Sequence, residues 1–299
     1  MESSPLSSYQ FRSISLPSRL HPHGTRIDVG LNKLKTWQSS LVSSSVPTSG
    51  ETIRTGLVGL ADLYSCVEEL IHSPVTQQAL IQNRNGVLVE AALEESIRFL
   101  DSCSVARDLL MMMKENIQDL QSVLRRKGGT ISIGKNINAY DSSKKKVKKE
   151  SAKWLRALKK MEKQNESCSL FDVNYNLSNL NRVLREVKAV TISVVRLLFL
   201  FLSAPDSSTR PGMRWSLIKK LVVTRPTEHK IIDEIGRVDV VLQSLRVCIQ
   251  NNNSSIDVQM ARRRLEALGD SMEGDEDGLN CLYRQLIRNR VSLLNILAH

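Results

Sequence analysis

The residue types that usually carry chemistry are present in this chain, but their spacing assembles no reaction. His21, His23, His72, His229 and His299 form no H-x-x-x-H or H-E-x-x-H pair, so no helix face offers two imidazoles to a metal. There is no G-x-S-x-G elbow, no Walker loop and no G-x-G-x-x-G turn, and Gly128-Gly129 follows no strand pattern. Cys66, Cys103, Cys168, Cys248 and Cys281 lie far apart without a C-x-x-C pair, which reads as reduced thiols rather than a disulfide framework. The acidic stretch Asp270 to Asp277 invites calcium. Placing Gly278 at the sixth loop position, however, puts Arg284 where the bidentate Glu belongs. It reads instead as a solvated loop whose charges favour the start of the following helix. The expectation is a protein with no catalytic, cofactor-binding or metal-binding residues.

Charge offers two contact features instead. Lys+Arg number 42 against 31 Asp+Glu, a formal net charge of +11. Between Lys135 and Lys163 there are ten Lys and one Arg against Asp141, Glu150 and Glu162, so this one segment holds most of the excess. Lys144, Lys145, Lys146, Lys148, Lys149, Lys153, Arg156, Lys159 and Lys160 would form a basic interaction face. Val147, Trp154, Leu158 and Met161 recur at helical spacing as an apolar stripe beneath it. Such a helix suits a solvated bundle face, an anionic membrane surface or a calmodulin-like partner. Lys144 to Lys149 could also serve as a nuclear localisation patch. Specific DNA reading is disfavoured, because no helix-turn-helix, zinc-ligand or basic-zipper pattern accompanies the charge. Near the N-terminus, Arg12, Ser13, Ser15 and Pro17 fit R-S-x-S-x-P, the arrangement that 14-3-3 proteins bind once the second serine is phosphorylated.

These features need elements to hold them, and the breakers say which. No proline occurs from Val75 to Ala204 or after Pro226, and glycine is absent from Val87 to Lys127 and from Lys135 to Ala204. Interior proline costs a helix about 3 kcal/mol and glycine about 1, so runs this long without either predict long helices. The spacing of Ile53, Leu57, Leu60, Tyr64, Val67 and Ile71 predicts one helical face, and Ser73-Pro74 opens a short helix. A long helix over Val87 to Lys127 should bury Val89, Leu93, Ile97, Leu100 and Leu109, with Met111, Met112 and Met113 as core filler and Arg125-Arg126-Lys127 as its stop. Further helices are expected over Ala139–Met161, Leu177–Leu202, Glu234–Gln250, Val258–Leu268 and Leu279–Leu297. The apolar run Ala189 to Ala204, sixteen residues interrupted by Arg196, is short for a spanning helix and reads first as the centre of a core. A membrane hairpin and a partner interface are its other readings. The fold class is therefore an all-α bundle of long amphipathic helices with coiled-coil-like packing. It divides into a flexible Ser-, Pro- and Arg-bearing segment, 1–26, and a single helical domain, 27–299.

Both ends of the chain resemble a known family. Arg12 to Pro22 (RSISLPSRLHP) and Leu286 to Ala298 (LIRNRVSLLNILA), with the Val29–Trp37 stretch and GLVGLADLY from Gly56 to Tyr64, are similar to the plant-specific, BYPASS-related family of unknown biochemical function. The resemblance implies a helical, non-enzymatic plant protein with a role in root or shoot development, and it supplies no catalytic residues. With no secretory h-region and no lipidation motif at either end, the expected location is the cytoplasm, with peripheral membrane association rather than nuclear residence as the variant. The expected function is a scaffold or adaptor. The alternative is a peripheral membrane protein that binds anionic lipid through the lysine-rich helix.

Overall fold

The computed structural model describes residues 22–43, 49–82, 87–126, 129–165, 175–203, 234–250 and 255–298. Among these residues there are eight helices and no strand: α1 (Pro22–Ser43), α2 (Gly50–Ile71), α3 (Pro74–Gln82), α4 (Val87–Arg125), α5 (Thr130–Asn165), α6 (Tyr175–Leu202), α7 (Glu234–Gln250) and α8 (Ser255–Ala298). The all-α bundle expected from the breaker pattern is thus the observed one. Residues 22–26 fall within the segment set apart as 1–26 and are helical. They open α1, where Pro22 takes the first helical position, whose amide would have no partner anyway.

Local signals set most boundaries. Ser49 caps α2, its side chain accepting from the Thr52 amide at 3.3 Å, and Ser73 does the same for Thr76 at 3.4 Å ahead of Pro74. All six residues of the predicted α2 face are buried. In α4 the predicted face is only partly right: Val89 and Leu109 are buried, Leu93 and Leu100 half-buried, and Ile97 exposed. The buried line runs instead through Phe99, Cys103, Ala106, Leu110, Met113 and Ile117. α4 is flanked by α8 on one side and α5 on the other, so its covered sector is wider than one stripe. Of the three methionines, Met113 is fully buried, Met112 half-buried and Met111 exposed.

The acidic stretch is a correction. Residues 270–277 are not a solvated loop between two helices but the middle of α8, a single 44-residue helix. Tertiary contacts absorb both its glycines and its charge. A Cβ on Gly278 would lie 3.1 Å from Leu57 Cβ, so the glycine lets α2 approach closely. Glu276 pairs with Lys114 of α4 at 2.7 Å, and Asp275 points into the interior. Helix propensity is a weak preference that packing overrides. α8 lies along α2 and α4, α7 folds back on it, α5 covers α4, and α6 fills the space between α5 and α2.

The three family-like stretches within the described residues meet in space. Trp37 lies over Gly56, where a Cβ would come within 2.5 Å of its ring, and Leu34 reaches Gly59. Asn289 of α8 donates its side-chain amide to the Tyr64 carbonyl at 2.9 Å. The α1–α2–α8 contact is therefore built from segments far apart in sequence. The apolar run of α6 is core, with Val190, Val194, Val195, Leu198, Phe199 and Leu202 buried. Among the described residues no helix is long and apolar enough to cross a membrane.

Candidate interaction surface

α5 sorts its residues by angle. At about 100° per residue, Lys145, Lys149, Lys153, Arg156, Lys160 and Lys163 fall within about 80° of one another, a line roughly 27 Å long. Lys146 and Lys159 flank that line, and all eight are exposed. The stripe predicted beneath them is real. Val147, Leu158 and Met161 are buried, and the half-buried Trp154 stacks on Phe199 of α6 with ring centroids 6.2 Å apart and planes at 5°.

Two members of the expected face sit differently. Lys144 is not part of the outward surface. It is buried and forms an ion pair with Asp239 of α7, which is buried as well. The reason is register: at the same 100° step Lys144 lies on the core side, beside Val147 and Tyr140 rather than beside Lys145. Lys148 is half-buried, at the edge of the ridge.

The carboxylates of α5 are mostly turned away from its lysines. Asp141 accepts from Arg246 of α7 at 3.0 Å, and Glu162 accepts from Arg196 of α6 at 2.7 Å. Only Glu150 stays with the ridge, 3.7 Å from Lys153. Lys145, Lys146, Lys149, Arg156, Lys159, Lys160 and Lys163 thus face water with no ion-pair partner among the described residues. Two of the three α5 carboxylates thus serve arginines of neighbouring helices, and the outer cations other than Lys153 go without a partner among the described residues. That leaves a concentrated positive field along one edge of the bundle.

The interior is polar at two further places. Next to a hollow of about 50 Å³, Lys188 pairs with Glu95, and the Tyr64 hydroxyl shares a 3.0 Å hydrogen bond with Thr191. Burial pushes the Tyr64 phenol above its ordinary range. Arg290 closes the same place by donating to the Leu93 carbonyl and to Ser96 Oγ at 2.7 Å. At the other place, Glu234 at the start of α7 accepts from Ser271 Oγ at 2.6 Å and from the Gly50 amide at 3.4 Å. Asp275 lies alongside, fully buried and with neither oxygen in a well-formed hydrogen bond. Loss of water, followed by the nearby Glu234 charge, pushes its carboxyl up to about 8, against the opposing pull of Arg54. Arg107, Asp277, Asn280, Cys281, Tyr283 and Arg284 line an open depression of about 540 Å³. No histidine lines either hollow, and no three metal-ligating side chains cluster among the described residues.

With this geometry in hand, the family can be stated. A family model described as Protein BPS1 matches residues 56–296, about four fifths of the chain. The chain belongs to the BPS1 family. The match includes GLVGLADLY and most of the C-terminal stretch, and it spans α3 to α7 entire, so the ridge lies inside the family domain. No curated protein and no solved structure matches the chain. The phospho-motif residues Arg12, Ser13, Ser15 and Pro17 precede the matched region and lie outside the described residues. Sequence reasoning missed two things: that Lys144 has a partner ninety-five positions away, and that the Arg125-Arg126 stop falls at the same level of the bundle as a second arginine run. The signal available for the second was Arg262-Arg263-Arg264, a second like-charge run.

Proposed function

We propose that this BPS1-family protein is a non-catalytic helical adaptor whose α5 ridge docks an acidic protein surface. One observation carries the reading: seven exposed cations along α5 lack counter-charges among the described residues, because the neighbouring carboxylates Asp141 and Glu162 serve arginines of α7 and α6. A calmodulin-type groove takes the apolar face of a target helix, and in α5 that face is occupied by the core. A lipid surface is favoured by apolar side chains beside the charge, and the ridge has none. What the ridge does offer is a straight positive edge that attracts a negative surface and speeds its encounter. The developmental setting implied by the BYPASS-related resemblance belongs to the same proposal. So does a second contact, through phosphorylated Ser15, for 14-3-3 proteins. A Ser15-phosphorylated peptide that binds 14-3-3 while its Ser15→Ala counterpart does not would support that contact, and equal binding would remove it.

The test uses the full chain and a fluorescent polyglutamate peptide as the acidic probe. Binding should fall at least about ten-fold when Lys145, Lys149, Arg156 and Lys160 become Gln, and it should weaken steeply with salt. Unchanged binding would sink the reading. If these four substitutions abolished binding to phosphatidylserine vesicles while leaving the peptide untouched, the lipid alternative would replace it.

A further inference from the structure

A second cationic surface lies at one end of the bundle, and its chemistry differs from that of the ridge. α4 and α8 run antiparallel. Arg107 of α4 sits over the Tyr283 ring at 5.3 Å, Lys114 pairs with Glu276 at 2.7 Å, and a Cβ on Gly269 would lie 3.7 Å from Gln121 Nε2. As the α4 numbers rise the α8 numbers fall. About one turn further on, this register sets Arg125 and Arg126 level with Arg262, Arg263 and Arg264 along the two helix axes. All five arginines are exposed, while Leu124, Ala261 and Leu265 between them are buried. None of the five makes an ion pair with a described residue.

Two apolar side chains stand out at the same end. Ile131, in the first turn of α5 just after the α4–α5 link, is 88% exposed, the highest value among the exposed large hydrophobic residues. Met260, one residue before the buried Ala261 of α8, is 45% exposed. A bundle with no use for them would place polar residues there. Arginine differs from lysine in presenting a planar fork of donors that grips phosphate at two points. Protruding Ile and Met side chains beside phosphate-gripping groups suit the boundary between headgroups and acyl chains, where apolar tips can leave water. Single-stranded RNA would call for aromatic platforms to stack its bases, and none of these seven residues is aromatic.

We propose that this end of the bundle, where α4 turns into α5 and α8 begins, docks on an anionic membrane. Arg125, Arg126, Arg262, Arg263 and Arg264 bind lipid phosphates, and Ile131 and Met260 enter the interface. The assignment goes beyond the ridge reading and does not depend on it. The chain is thereby held at a bilayer by one end, with the lysine ridge running away along the bundle toward a protein partner.

Vesicle flotation with the full chain tests it. Neutral phosphatidylcholine vesicles are compared with vesicles that also carry phosphatidylserine. The wild type should float with the anionic vesicles and not with the neutral ones. Each basic residue near a charged bilayer contributes roughly five-fold to partitioning. The variant with all five arginines replaced by Gln should therefore partition at least about a hundred-fold more weakly. Ile131→Ser with Met260→Ser should weaken partitioning by roughly ten-fold without changing net charge. The ridge variant (Lys145, Lys149, Arg156 and Lys160 to Gln) should retain most of its binding. All seven positions are exposed, and unchanged helical circular dichroism and melting would show that each variant folds. No flotation of the wild type, wild-type binding by the five-arginine variant, or a loss confined to the ridge variant would overturn the proposal. Arginine-dependent capture of a double-stranded RNA probe with no response to vesicles would overturn it as well, in favour of a nucleic acid.

Discussion

Lys144 and Lys145 are adjacent, and the bundle treats them as opposites. Lys144 is buried against Asp239 and ties α5 to α7, whereas Lys145 stands in water among like charges. The same division runs through the molecule. Lys188 with Glu95 and Arg196 with Glu162 form an inner seam of paired cations, and the α5 ridge forms an outer row in which only Lys153 has a carboxylate, Glu150, beside it. A buried pair is no guarantee of net stability, because two charges must first leave water. Its partners are nevertheless committed to each other, since removing either strands the other. The outer row has no such commitment inside the chain. Position on a helix, not residue type, decides which lysines hold the fold together and which are available to something else.

The widest separation between the two groups should appear on truncation. Lys144→Ala leaves the Asp239 carboxylate buried without its partner and should lower unfolding free energy by about 3–5 kcal/mol. Lys145→Ala, one residue away, should change it by no more than about 0.5 kcal/mol. Urea unfolding of the two variants measures the difference directly. The double variant Lys144→Met with Asp239→Leu should recover most of the loss, because a well-filled apolar contact replaces the pair. Equal effects at positions 144 and 145 would break the comparison outright.

A second test concerns Asp275, a buried carboxyl with no ion pair among the described residues. Asp275 holds its proton up to about pH 8 in the fold but releases it near 4 when unfolded. Between those values the unfolded chain binds fewer protons than the native one. Stability should therefore fall as pH rises from about 4 to about 8, by at most about 1.4 kcal/mol per unit from this group, and level off above. Asp275→Asn should flatten that part of the curve, measured as melting temperature against pH. If the slope is unchanged, Asp275 is already ionised in the fold and Arg54 outweighs its desolvation.

Much of this division was legible in the sequence, and the failures share one cause. The α2 face, the cap at Ser73 and the core role of Val190 to Leu202 follow from spacing and side-chain chemistry alone, which are local. The ridge was legible too, since Lys145, Lys149 and Lys153 recur at four-residue steps over a stripe of Val147 and Leu158. Lys144 was misplaced although its register sets it on the core side, because the partner that lets a lysine be buried there is Asp239 of α7, a contact that no window along the chain contains. The acidic stretch was read as a loop because glycine and repulsion normally end a helix. α8 continues because Leu57, Arg54 and Lys114 meet it from α2 and α4. The arginine end is the same lesson in reverse. Two short basic runs more than a hundred positions apart carry little information singly, and the antiparallel register of α4 and α8 sets them at the same level of the bundle.

The smallest expected effect is the most telling about the ridge. Lys149 lies four residues from both Lys145 and Lys153, and like charges at that spacing destabilise a helix by about 0.2–0.5 kcal/mol per pair. Lys149→Gln should therefore stabilise the bundle slightly, by a few tenths to about 1 kcal/mol at low ionic strength. The gain should shrink toward zero in molar salt, where the screening length is about 3 Å. Paired melts of wild type and variant at the two salt levels resolve it. A ridge that served the fold would lose stability on neutralisation, as the inner seam does. A ridge that gains stability is one the fold tolerates rather than uses. Its cations would then find their counter-charges only in another molecule, which is the condition the adaptor reading requires.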